Sequence, residues 1–309
     1  MTNLMIHNLL ILILALLKCS FPALDPGERF IFPSTNYQAV TGYNLTTPDA
    51  IAQLPLALRE ISGLTFIDTS LFACVQDENG TLFFYHRGQN EIIAKETFYS
   101  SGDFEDLCRV GQTIFVLRSD ATLFEIENYE TRPLKTVSYG LNIPAYDNEG
   151  LCYDKENNRL LIASKGNSGK GEEFKNKREI YGFDLKTKSL IETPVFTFDE
   201  KLLKQFATEQ NIQLPVKVKK SGKTVPDIKF RPTAIGIHPI SKKLFLLSGP
   251  DQLFFIFSSE GNIEHIEPLD PALFSQPEGL SFFENGDLFI SNEGQEKQAT
   301  LLRFNYKSF

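Results

Sequence analysis

Five short strings of one character recur along the chain: Ser62-Gly63-Leu64, Glu105-Asp106-Leu107, Glu149-Gly150-Leu151, Thr233-Ala234-Ile235 and Glu278-Gly279-Leu280. Between their Leu or Ile anchors the intervals are 43, 44, 84 and 45 residues, so three of the four are one period. At such a period each unit is too small to bury its apolar face alone, and neighbours must stack. Each anchor is followed by an apolar pair (Leu71-Phe72, Ile114-Phe115, Leu160-Leu161, Leu244-Phe245, Leu288-Phe289). A third pair comes later: Leu82-Phe83, Leu123-Phe124, Ile180-Tyr181, Leu253-Phe254 and Leu301-Leu302. Asn79-Gly80, Glu260-Gly261 and Asn285-Gly286 supply turn chemistry. Four short strands in 40–45 residues predict an all-β fold, a β-propeller. Stacked helix pairs would need a 3.6-residue periodicity that these segments lack.

The long interval sets the blade count. Leu151 to Phe198 already carries a full set of strand signals, whereas Asp199 to Phe206 reads as helix and the stretch from Pro215 to Asp227 as polar and Lys-rich. No hairpin pair is evident there. The expectation is a five-bladed propeller over residues 34–309 with a short helical and basic insertion at 199–230; six blades are the alternative. Deleting residues 200–228 should then leave the fold intact. The last repeat shows three strands before Phe309, and the segment from Gln38 to Leu45 is expected to add the fourth and close the ring. Closure of this kind removes exposed sheet edges.

Composition narrows the partners. The net charge of −8, from 31 Lys and Arg against 39 Asp and Glu, disfavours nucleic acid, whose phosphates call for surplus cations. Four Cys in 309 residues cannot be a disulfide framework, and Cys74, Cys108 and Cys152 read as small core residues. The apolar run from Leu9 to Leu17 is shorter than the roughly 20 residues a bilayer needs and suits a secretory leader. Residues 1–23 are expected to be a signal peptide or lipoprotein leader, with Cys19 as the lipidation site. That implies the cell envelope, with membrane attachment through the leader or a lipid anchor. A monomer is expected.

The repeat also places chemistry. The first strand of each propeller blade lines the central channel, with side chains alternating at period 2. Two residues before the anchors stand Ser62, Glu105, Glu149, Thr233 and Glu278, and two earlier still Glu60, Asp103, Asp147, Arg231 and Gln276. Six of these ten are carboxylates. Antiparallel order brings the turns after the second strands to the same mouth, among them Asp77, Glu78, Asp120, Lys165, Asp251, Asn292 and Glu293. The plainer reading is a wet, polar channel. The other is that converging carboxylates repel unless a cation joins them, and a hard, oxygen-preferring ion such as Ca²⁺ suits such a ring. Glu60, Glu105, Glu149 and Glu278 are the candidate ligands of the ion. Arg231 and Lys165 are the counter-charges, or the groups that orient an anionic ligand. Nothing matches the nucleophile-elbow, zinc-protease or calcium-loop motifs. The four His do not cluster, and Gly166 to Gly171 lacks the spacing of a phosphate loop.

The strings Glu60 to Leu64, Asp103 to Leu107, Asn148 to Leu151, Phe230 to Ile235, Gln276 to Ser281 and Asp287 to Glu293 resemble those of the SdiA-regulated, YjiK-like β-propeller proteins of bacterial envelopes. They span roughly residues 55–306 in that family's order. The resemblance implies a membrane-associated or periplasmic propeller linked to calcium, and a phytase-like activity has been suggested for some members. Thr233-Ala234, Asp106 and the basic insertion depart from the pattern. Three functions follow: a non-enzymatic binder of a cation or small ligand at the acidic mouth, a metal-assisted hydrolase of phosphate or carboxylic esters there, or a protein-interaction platform working through the insertion, with its seven Lys against four acids.

Overall fold

Runs of Phe, Leu and Ile alternating with small or polar residues pair with their chain neighbours into five antiparallel sheets, which form a β-propeller. The computed structural model describes residues 30–31, 42–169, 171–172 and 174–308. The expected leader and Cys19 lie outside the described residues. Blade 1 comprises Ile61–Phe66, Leu71–Gln76, Asn79–His86 and Glu91–Ser101; blade 2 comprises Phe104–Val110, Thr113–Arg118, Thr122–Glu127 and Lys135–Gly140. Blade 3 holds Asn148–Asp154, Arg159–Ser164 and Lys177–Asp184, whose outer edge pairs with both Ser189–Leu190 and Phe196–Asp199. Blade 4 is built from Ala234–Ile237, Leu244–Ser248, Leu253–Phe257 and Ile263–Pro268. The inner strands touch in a closed circle, blade 5 on blade 1 included.

Blade 5 takes Pro277–Phe282, Leu288–Asn292 and Thr300–Phe304 from the end of the chain and a fourth strand from its beginning. That strand is Ala50–Gln53, paired Ala50 to Arg303 and Gln53 to Thr300. The ring therefore closes through both chain regions, but not through the expected segment. Tyr43 and Leu45 are instead buried in the apolar layer between blades 4 and 5, and the Tyr43 hydroxyl donates to the Gly286 carbonyl. Ala50–Gln53 is an outer strand, largely exposed, so it carries little of the apolar signal that marks the inner ones.

Each pair of neighbouring blades encloses its own apolar core. The recurrent glycine before the anchor has its reason here. A Cβ on Gly279 would lie 2.4 Å from Ser291 Oγ and 2.6 Å from Leu64 Cδ2, so the next inner strand packs directly against the bare backbone.

The insertion is part of the core. Its helix, Glu200–Glu209, is capped by the Asp199 carboxylate on the Lys201 N–H. Leu203, Ala207, Leu214, Ile228 and Phe230 are buried between blades 3 and 4. A short hairpin, Val216–Val218 with Thr224–Pro226, follows where none was evident, and Phe30–Ile31 adds a third strand to it. Three-residue strands such as Val-Lys-Val and Thr-Val-Pro carry too little apolar signal to be recognised. Removing residues 200–228 would strip one face from a core, so the expectation of a dispensable insertion is corrected.

Candidate functional site

The inner strands all begin at one mouth of the channel, and four of them share an irregularity there. Pairing skips one residue in blades 1, 2, 3 and 5, leaving Ser62, Glu105, Glu149 and Glu278 each as the extra residue of a β-bulge. A bulge re-aims the side chain it carries and is over-represented beside functional sites. Oxygens of Glu105, Asp147 and Glu149 lie within 4.8 Å of one another. Asp147 reaches the cluster from a left-handed backbone position, φ 65°. Thr233, in blade 4, whose first two strands pair without such a skip, is buried and donates its hydroxyl to the Pro277 carbonyl at 3.2 Å.

Lys165, at the end of blade 3's second strand, donates to Glu149 at 2.6 Å, and both side chains are largely buried. Burial pulls the Lys165 ammonium down, but Glu149, Glu278 and Asp147 outweigh it and hold the group above its ordinary range. Burial pushes Glu105 well up, and Glu149, Asp103 and Glu278 push further. Burial likewise raises Glu149, against the pull of Lys165. Glu278 is raised to about 7 by burial, with Lys165 opposing and Glu293 adding. Among the described residues no side chain or backbone group donates a hydrogen bond to the carboxylates of Glu105 or Asp147.

A second acidic group forms the rim. Burial raises Asp77 to about 6, helped by Glu60, Glu78 and Asp103. Burial also raises Glu293 to about 6, with Asp77 and Glu60 adding. One Asp77 oxygen is buried without a partner. Glu60 stands apart from the tight cluster and pairs with Arg59 at 3.1 Å. Asp103 is exposed. Glu293 accepts from Gln276, and Gln276 in turn from Gln295. Asn292 is buried and donates to the Leu273 carbonyl and to Thr300 Oγ1. Arg231 is engaged bidentately by the buried Asp251, at 2.9 and 3.2 Å. Of the ten expected site residues, then, Glu105, Asp147, Glu149, Glu278 and Lys165 form the inner site. Glu60, Asp103 and Glu293 lie on the rim, and Arg231 and Asn292 are committed to the scaffold.

Two features escaped sequence reasoning. Arg178 is buried and clasps the loop that carries Lys165: it donates to the Lys165 carbonyl at 2.9 Å, to Asn167 Oδ1 at 2.7 Å and to the Lys229 carbonyl at 3.3 Å. It also pairs with Glu200 at 3.3 Å. No repeat-based signal marks it, because only blade 3 has this insertion to hold. The second feature is the far end of the channel. The five anchors, Leu64, Leu107, Leu151, Ile235 and Leu280, are each 5% exposed or less. They form an apolar septum, and a cavity of about 730 Å³ opens beyond it, away from the carboxylates.

No protein-family model matches the sequence, and neither does any curated protein. Solved structures do. A Myxococcus xanthus glutaminyl cyclase is 13% identical, with 84% of this chain and 95% of that one covered at a TM-score of 0.52. A nidogen/laminin complex is 11% identical over 78% and 75%, TM-score 0.49. A structural-genomics protein from Bacteroides thetaiotaomicron is 11% identical over 82% and 58%, TM-score 0.49. At these identities the likeness concerns the fold alone. Five blades, minimal helix and a propeller neighbour agree: the chain is an all-β, five-bladed propeller.

Proposed function

We propose that the acidic mouth binds a divalent, oxygen-ligated cation, Ca²⁺ being the best match, and that the protein works as a binder. One observation carries this: three carboxylates meet within 4.8 Å, and two of them take no donor from the surrounding protein. Oxygens on opposite sides of a calcium ion, each at 2.3–2.6 Å, stand about 5 Å apart, so one ion can bridge such a group with little rearrangement. Glu105, Asp147 and Glu149 would hold it, and Glu278 completes the negative field. Binding there would relieve the repulsion that adds to burial in holding Glu105 and Glu149 above the ordinary carboxylate range. Residence in a bacterial envelope, through the leader and Cys19, belongs to the same reading, as does the family resemblance.

Thermal melting with Ca²⁺ and with chelator tests it. Ligand at 100 times its dissociation constant stabilises by about 2.7 kcal/mol. The expected result is a clear rise in Tm that is lost in Glu105→Gln and Asp147→Asn. A rise that survives both substitutions, or none in the wild type, refutes the reading.

Glu278 supports a second reading. A carboxyl brought to about 7 beside a bound cation could take a proton from an attacking water. Turnover of p-nitrophenyl phosphate or acetate that depends on Ca²⁺ and falls in Glu278→Gln would favour the hydrolase over the binder.

A further inference from the structure

We propose that the cavity at the opposite end of the channel is a second binding site, for a small amphiphile joining an apolar body to a single anionic group. The inner strands carry both sites. In blade 2 the strand runs from Glu105 at the acidic mouth through Leu107 in the septum to Arg109 in the cavity wall; in blade 3 it runs from Glu149 through Leu151 to Tyr153. No carboxylate of the acidic mouth lines the cavity, so the septum makes the two sites separate.

Size and surface suit a small organic molecule. A volume of about 730 Å³ falls within the range of ligand pockets, roughly 300–1,000 Å³. The floor is aliphatic, made by the five anchors, and Phe66, Tyr153 and Phe282 provide aromatic wall. Cys108 and Cys152 also face it, and burial raises both thiols well above their ordinary range. They are inert wall, not nucleophiles.

The charge follows from Arg109. This half-buried side chain donates Nε to the Phe66 carbonyl at 3.1 Å and Nη1 to the Gly111 carbonyl at 3.3 Å, and lies 5.2 Å from the centroid of the Phe66 ring. No acid pairs with it among the described residues, and its second terminal nitrogen donates to none of them. The other charges around the cavity cancel. Arg159 is paired with Asp154 at 2.8 Å, and the exposed rim holds Lys155 and Lys242 against Glu156 and Glu284. Arg109 is the one half-buried charge left uncompensated, held rigid by two backbone carbonyls and a ring. A fixed guanidinium of this kind selects a carboxylate over a neutral group.

Calorimetric titration of the full chain at pH 7.4 with octanoate and octanamide tests the proposal. Octanoate is expected to bind saturably with a negative heat-capacity change, and at least about tenfold more tightly than octanamide. Arg109→Gln, checked for an unchanged melting transition, should abolish that preference. Glu105→Gln should leave it intact, which distinguishes this cavity from the cation site. Equal binding of the two probes, a preference that survives Arg109→Gln, or no saturable heat up to millimolar octanoate overturns it.

Discussion

The Asp106 carboxylate of blade 2 accepts the backbone N–H of Leu151 in blade 3 at 2.8 Å, while its other oxygen accepts the N–H of Leu107 at 2.8 Å. The side chain is 1% exposed and burial raises its carboxyl well above the ordinary range. It sits where the other repeats have Gly or Ala, and the bare Gly63 makes the room: a Cβ there would lie 2.5 Å from Asp106 Oδ1. Asp106 thus ties two inner strands together directly under the acidic cluster. Asp106→Ala leaves two buried N–H groups without acceptors, at about 1–3 kcal/mol each. Urea denaturation should show a loss of that order, and Asp106→Asn, which keeps one acceptor, a smaller one.

The mouth makes stability depend on pH. Glu278 titrates near 7, Asp77 and Glu293 near 6, and Glu105 and Glu149 are also raised; unfolded, all should titrate near 4. Between these limits the folded state binds more protons. The contribution of Glu278, Asp77 and Glu293 is therefore full below about pH 4 and is lost as pH rises to about 7, and Glu105 and Glu149 act in the same direction. In chelator, Tm should fall over that window in wild type and fall less in Glu278→Gln. A bound cation should flatten the same limb.

Lys165 now supplies the positive charge the cluster needs. Lys165→Met strands Glu149 in a buried acidic site, so the metal-free protein should lose stability, by about 3–5 kcal/mol if Glu149 stays ionised. Removing a competing ammonium should also tighten Ca²⁺ binding. Melting curves in chelator and in Ca²⁺ should therefore diverge more widely in the variant than in wild type.

The blade count was legible because the anchors serve the septum and recur in every blade, while the small residues before them serve the inter-blade contact and recur in every blade but the second, where Asp106 stands. The converging carboxylates were legible for the same reason, through Glu105, Asp147, Glu149 and Glu278. What broke the reading was local. The bulges at Ser62, Glu105, Glu149 and Glu278 interrupt the period-2 alternation, which no single strand's composition announces. Arg231 and Lys165 look alike in the sequence, yet Asp251 takes one into the scaffold and leaves the other in the site. The far cavity was hidden because Leu107, Cys108 and Leu151 read as ordinary core.

His238 opposes the mouth. It is fully buried among Tyr43, Phe245, Phe282 and Tyr306. Its Nδ1 accepts from the N–H groups of Ile240 and Ser241 at 3.2 and 3.0 Å, so the neutral ring carries its proton on Nε2. Burial, with Lys242 and Lys243, lowers it to about 4. The unfolded state binds the extra proton between about 4 and 6.5, so this contribution is present above 6.5 and lost as pH falls through 4. His238→Asn keeps an acceptor but does not titrate. The difference in stability between wild type and variant should shrink steadily as pH drops from 6.5 to 4, even while the mouth drives both proteins the other way.

Arg178 is where the insertion and the site are coupled. Its guanidinium holds the Lys165 carbonyl, Asn167, the Lys229 carbonyl and Glu200 at once. Glu200 is itself raised to about 7 by burial even with Arg178 beside it. Arg178→Met would leave an acid and two carbonyls unpaired in a buried seam, and removing one partner of such a pair costs about 3–5 kcal/mol. Arg178→Lys should recover little, since a single ammonium cannot span the fork. The readout that separates this role from general packing is local. Hydrogen exchange should rise first in residues 165–169 and 227–231, and Ca²⁺ affinity should change with it, because the loop that aims Lys165 at Glu149 would lose its clasp. A purely structural arginine would lower stability and leave the affinity of the remaining folded protein as it was.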